Sequence, residues 1–151
     1  MFRPAPPRPA PSGAAVLWLD RSGASAVEFA IIAPLFLLMM FGMIAYGIYF
    51  GAAHSVQQLA ADAARASVAG LSTAERASLA RAFLEANSGD YALLDAKHLS
   101  IETAASASDP NQFTVSLTYD AVNLPIWEMY PPIPLPDKII ARSSTIRLGG
   151  I

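Results

Sequence analysis

Between Phe29 and Ala61 the chain carries no charged side chain, and that gap limits what it can fold into more than any other feature. Its most apolar part runs from Ala30 to Ala53, AIIAPLFLLMMFGMIAYGIYFGAA, 24 residues (53 − 30 + 1). As an α-helix rising about 1.5 Å per residue, this stretch is about 36 Å long. A bilayer hydrocarbon core is about 30 Å thick, so the stretch can cross it with some tilt. Ten of the 24 residues are Ile, Leu or Phe, and each favours insertion by roughly 0.3–0.6 kcal/mol. The apolar core of a secretory signal peptide is shorter. A soluble domain of this size has no interior deep enough to hide such a helix. The segment therefore reads as a single membrane span.

The flanking charges give the orientation. Arg3, Arg8 and Arg21 stand before the span against one acid, Asp20, whereas from Asp62 to Ile151 there are ten acids and seven bases. Positive charge favours the N-terminus on the cytoplasmic side, which places the C-terminal part outside the inner membrane. The rest of the composition excludes several function classes. A net charge of −2 with no basic patch removes the electrostatic footprint of a nucleic-acid binder. The absence of cysteine removes disulfides, thiol catalysis and cysteine-ligated metal. The two histidines, His54 and His98, have no metal-ligand spacing. Nucleophile-elbow and phosphate-cradling glycine patterns are missing. The expectation is a non-catalytic protein with no cofactor, no metal and no small-molecule substrate.

The organisation along the chain follows from the punctuation. Residues 1–13 hold five prolines with Arg3 and Arg8, which suits a tail better than a helix. A helix is expected from about Ala24 to Ala69, because Val56, Leu59, Ala60, Ala63 and Ser67 continue on one helical face beyond the apolar run. Gly70 is the expected C-cap. Ser72-Thr73-Ala74-Glu75 is a capping box that starts a second helix, with Ala77, Ala80, Phe83 and Leu84 as its apolar face and Asn87-Ser88-Gly89 as its end. The period then becomes two. Leu99, Ile101 and Thr103 alternate with polar neighbours, as do Phe113, Val115, Leu117 and Tyr119, with Ser106–Asn111 as the turn. After a proline-rich loop, Lys138 to Leu148 reads as a third strand. The fold class is α+β: a long N-terminal transmembrane helix continues into a small domain with a second helix and a short antiparallel sheet.

The stretch that carries chemistry is Gly23-Ala24-Ser25-Ala26-Val27-Glu28-Phe29. A glycine precedes the span, a lone glutamate is the fifth residue after it, an aromatic follows, and then the sequence is continuously apolar. This arrangement resembles the processing site of type IV pilin-like proteins, and more specifically the TadE-like pseudopilins of the tight-adherence (Tad/Flp) pilus system. The resemblance covers the EFAIIAPLFLLMMFG segment, the helix continuation VQQLAADAARASVAG and the general layout of the later strands. It implies a minor pseudopilin with a pilin-like fold, cut by a prepilin peptidase between Gly23 and Ala24. Residues 1–23 would then be a cytoplasmic leader, 24–53 the transmembrane helix and 54–151 the extracytoplasmic domain. It also implies partnership, at the membrane, with other pilin-like subunits and the Tad assembly machinery in the assembly of an adhesive pilus, whether the subunit enters the fibre or only primes it.

Glu28 has a physical reason beside that resemblance. A carboxylate at the edge of hydrocarbon is costly unless paired, and cleavage would create an ammonium on Ala24, four residues away. The family analogy has this glutamate meeting the N-terminal amine of a neighbouring subunit. The plainer reading is that Ser25-Ala26-Val27-Glu28 is itself a capping box and that Glu28 suits any helix N-terminus. Within the span, Gly47 and Gly51 form a GxxxG pattern with Gly42 below them, which permits close helix approach. Pro34 is expected to kink or loosen the helix. Trp127 and Tyr130 lie among the prolines of the 125–136 loop, either as a partner surface or as packing that pins the loop to the sheet. Two rivals remain. One is a generic signal-anchored periplasmic interaction domain that keeps residues 1–23. The other is a secreted protein cut near Ala52-Ala53.

Overall fold

The computed structural model describes residues 21–105, 109, 111–128 and 134–147. Helix α1 is Arg21–Ala66, 46 residues with Pro34 inside it. A 3-10 turn, Ser67–Ala69, continues it. Helix α2 is Thr73–Asn87. The strands are β1 (Leu99–Ala105), β2 (Gln112–Asp120) and β3 (Ile139–Arg147), joined as an antiparallel sheet in the order β1-β2-β3. Strands, second helix and long first helix make this an α+β chain. It divides into two compact units, one ending at Met40 and the other Phe41–Ile151.

The ends of α1 differ from the sequence expectation. The helix already includes Arg21, so Ser25 lies inside it and the Ser25–Glu28 pair is not its N-cap. Gly23 costs about 1 kcal/mol of helix propensity, but once the long apolar stretch is helical, extending it by a turn needs no new nucleus. At the other end Gly70 is the C-cap residue, yet its φ of −73° and ψ of 137° are extended rather than left-handed. Glycine is required there by space. A Cβ at Gly70 would lie 2.7 Å from Arg76 Cγ and 2.8 Å from the Arg76 backbone nitrogen.

The start of α2 follows its capping signal with one variation. Ser72 Oγ accepts from the Glu75 amide at 3.2 Å. Glu75 Oε2 reaches back to the Leu71 amide at 2.8 Å, one residue before the usual target, and so satisfies a donor outside the helix. Ala80 and Leu84 are buried, with Ala77 and Phe83 packed beside them, as the 3.6-residue period predicts.

In the Phe41–Ile151 unit, β2 is the central strand and alternation decides its faces. Phe113, Val115, Leu117 and Tyr119 are all 1% exposed or less. Leu99 and Ile101 of β1 stand opposite Tyr119 and Leu117 on that face. On β3 the same face carries Ile140 and Ile146 opposite Tyr119 and Phe113, but Arg142 and Ser144 opposite Leu117 and Val115. The strand therefore lacks a clean apolar alternation. The helical side of the core comes from α1. Val56, Leu59, Ala60, Ala63 and Ser67 are fully buried, as expected, and the same face extends backwards through Ala53, Ala52 and Tyr49 to Ala45. Alanines at these positions leave room for the bulky β2 side chains across the layer. Gln57 Nε2 donates to the Ser143 carbonyl of edge strand β3 at 3.2 Å, which satisfies an acceptor that has no strand neighbour.

Tyr119 holds the connecting loops to this core. Its ring is fully buried. Its hydroxyl lies 2.8 Å from Asn123 Oδ1 and 3.2 Å from the Leu93 carbonyl, and it accepts from the Asp95 amide at 3.3 Å. Leu93 has a φ of 66°, a left-handed conformation that costs a non-glycine residue about 1 kcal/mol or more.

Candidate functional site: the apolar helix and its processing motif

The residues singled out by the sequence lie along α1. Gly23, Ala24, Glu28 and Phe29 are all exposed. Among the described residues nothing lies within 4 Å of where a Cβ on Gly23 would stand. Gly23 is helical, and a peptidase needs an extended bond, so cleavage at this point requires local unwinding of the first turn. Pro34 lies inside the helix without ending it. It has no amide hydrogen to offer the Ala30 carbonyl, which weakens the ladder there.

The apolar side chains beyond Glu28 are uncovered. Phe29 is 73% exposed, Ile31 71% and Met39 62%, and Val27, Ile32, Leu35, Phe36, Leu37 and Leu38 are exposed as well. The most apolar window of the helix has a mean hydropathy of 2.3 and none of it is buried. An apolar surface this large on a water-facing helix would be an aggregation hazard, so it requires lipid or other helices around it.

The glycines behave differently from one another. Gly42 and Gly47 have open space where a Cβ would be. Gly51 instead faces the chain's own Leu93, whose Cδ1 would be 3.0 Å from a Cβ there. One half of the GxxxG pattern is thus occupied within the Phe41–Ile151 unit, and the other half is open. Trp127 is half-buried against the core. Its Nε1 donates to the Ala121 carbonyl at 2.5 Å and Lys138 Nζ lies 5.3 Å from its ring centroid. These contacts pin residues 121–128 to the start of β3. Tyr130 lies outside the described residues.

Beyond the apolar run, α1 carries a polar cluster that spacing alone suggested only in part. Arg65 pairs with Asp62 three residues earlier. The other Asp62 oxygen accepts from the Tyr91 hydroxyl at 2.7 Å. Burial and then the Asp62 carboxylate push the Tyr91 phenol up to about 12. Tyr91 therefore stays a neutral donor and ties the segment after α2 to the long helix. The sequence gives no local sign of this pairing, because the partners are 29 residues apart. His54 is exposed, and His98 is half-buried at the start of β1.

The stretch from the candidate cleavage point through the apolar helix to Arg65 is also where a comparison with known families finds its match. Residues 23–65 match the TadE-like protein family. The match begins on Gly23 and ends at the Asp62–Arg65 pair, so it takes in Glu28, the exposed apolar helix and the buried alanine face together. No curated protein and no solved structure matches the chain. The match agrees with the resemblance seen in the sequence over those residues. Among the described residues one apolar helix is long enough to cross a bilayer, which agrees with a single-pass membrane protein.

Proposed function

We propose that this chain is a minor pseudopilin of the Tad pilus, a non-catalytic subunit that acts through helix–helix and domain contacts. The observation that carries the reading is the family match starting on Gly23, followed by an uncovered apolar helix. In this reading a prepilin peptidase cuts between Gly23 and Ala24 on the cytoplasmic face of the inner membrane. Residues 1–23 are the leader, and the Phe41–Ile151 unit lies in the periplasm or in the assembled fibre. The new ammonium of one subunit then pairs with Glu28 of another in a low-dielectric helix bundle, where such a pair is favourable only when well aligned. Glu28 is exposed in the single chain, which leaves its carboxylate available for that partner.

The test compares the native strain, a deletion of this gene, and the deletion complemented with Glu28→Gln. The substitution removes the charge and keeps the shape. Membrane fractionation should show normal insertion, while surface pili counted by electron microscopy should fall sharply. Normal piliation by the variant would overturn the assembly role of Glu28. A signal-anchored periplasmic domain unrelated to pili predicts normal piliation even when the whole chain is deleted.

A further inference from the structure

The exposed and buried faces of α1 change character at different points along its length. On the exposed face, Met43, Gly47 and Phe50 recur at helical spacing, with Met43 67% and Phe50 60% exposed. The next residues on that face are polar: His54, Gln58 and Arg65. On the opposite face the domain's own core starts at Ala45 and includes Tyr49, Ala52 and Ala53. From residue 45 to 53 the helix is therefore covered by protein on one side and presents uncovered apolar surface on the other. Nine residues of helix are about 13 Å long.

A domain held clear of the bilayer has no use for uncovered Phe50 beside its own core. The groups that meet the helix here, and those that follow along the chain from them, suggest what does cover it. The Tyr46 hydroxyl donates to the Pro134 carbonyl at 2.6 Å, and its ring lies 5.9 Å from Phe50. The chain runs from Pro134 to Lys138, whose ammonium stands over Trp127. Amphipathic aromatics with an adjacent cation are the side chains that settle at a headgroup layer, ring in the apolar boundary and polar end in water. The lengths agree. Residues 24–44 make about 31 Å of helix, which matches a hydrocarbon core of about 30 Å. The interfacial layer on each side is about 5–7 Å thick, and residues 45–50 rise about 9 Å through it.

We infer that Tyr46, Phe50, Trp127 and Lys138 form an interfacial rim that seats the globular unit in the phospholipid headgroup layer of the bilayer its helix crosses. This rests on the single-span reading under Proposed function. The hydrocarbon then ends near Ile44, the headgroups meet Tyr46 to Phe50, and water begins at His54. Lys138 meets lipid phosphate, and Trp127 lies at the boundary beside it.

The experiment uses the full chain in phosphatidylcholine–phosphatidylglycerol vesicles. The chain has no cysteine, so nitroxide labels can be placed singly at Leu37, Phe50 and Gln58. Two tryptophans are present, so Trp18→Phe leaves Trp127 as the only indole. Collision with oxygen and with an aqueous nickel chelate reports depth. The expected result is Leu37 in hydrocarbon, Phe50 at intermediate depth, Gln58 in water, and Trp127 quenched more by a shallow than by a deep lipid-borne nitroxide. If Leu37 is in lipid while Phe50 is as open to nickel as Gln58 and aqueous acrylamide quenches Trp127 freely, the rim is wrong and the span survives. If Phe50 is shielded from both colliders, a protein neighbour covers it and the rim is again wrong. If Leu37 itself is in water, the span and the rim fail together.

Discussion

A fragment that starts at His54, where the apolar run ends, should not fold as the intact chain does. Hydropathy divides the sequence there, but packing does not. Ala45, Tyr49, Ala52 and Ala53 are 8% exposed or less and belong to the same cluster as Phe113, Leu117 and Tyr119. Removing a buried aromatic of this kind costs about 3–5 kcal/mol, and three buried alanine methyls add about 0.8 kcal/mol each. The fragment therefore loses about 5–7 kcal/mol. A domain of about 100 residues has a total stability of about 5–15 kcal/mol. The His54–Ile151 fragment should therefore lose between about a third and all of that stability and unfold at a much lower urea concentration, while a Phe41–Ile151 fragment should keep its cooperative urea transition. Circular dichroism and Trp127 fluorescence against urea measure this directly. Tyr49→Ala in the full chain isolates the largest part of the loss and should lower the midpoint without removing the transition. If the His54 fragment unfolds cooperatively at the same urea concentration as the longer one, the core does not extend below residue 54 and the reasoning is refuted.

Two other substitutions test the polar supports of the domain. Tyr119→Phe keeps the buried ring and deletes a hydroxyl that makes one donated and one accepted bond, so it should cost about 1–2 kcal/mol, read as a lower urea midpoint with an unchanged slope. Tyr91 makes a prediction about pH. Its folded pKa is raised from 10.0 to about 12, so the folded state holds the phenol proton more tightly than the unfolded state does. The stability this contributes is complete below pH 10, declines as pH rises above 10, and is gone beyond about 12. Tyr91→Phe should flatten that part of the midpoint-against-pH curve, and an equally steep decline in the variant would refute the assignment.

What could be read from the sequence was what repeats locally. The period-two pattern located β1 and β2, and the Ser72–Glu75 box located the start of α2. A glycine, a lone acid and an apolar run at fixed spacing were readable as a family resemblance, and the family match begins on that glycine. What depended on distant partners was hidden. Ala45, Tyr49 and Ala52 continue the buried 3-and-4 spacing of Val56, Leu59 and Ala63, so a signal for them existed. Hydropathy masked it, because a lipid-facing and a protein-facing apolar residue score alike. Gly70 carried the usual mark of a left-handed cap, but its small size serves the approach of Arg76. The left-handed Leu93 and the Tyr119 hydroxyl contacts join segments about 25 residues apart, beyond the reach of any local pattern.

The central claim is that Gly23 marks a processing site, and the mature N-terminus tests it most directly. Membrane-extracted protein from cells with and without the prepilin peptidase should be compared by intact mass and N-terminal sequencing. The account predicts a chain that begins at Ala24 only where the peptidase is present. An unprocessed chain in both strains, or a soluble product beginning near His54, would contradict it.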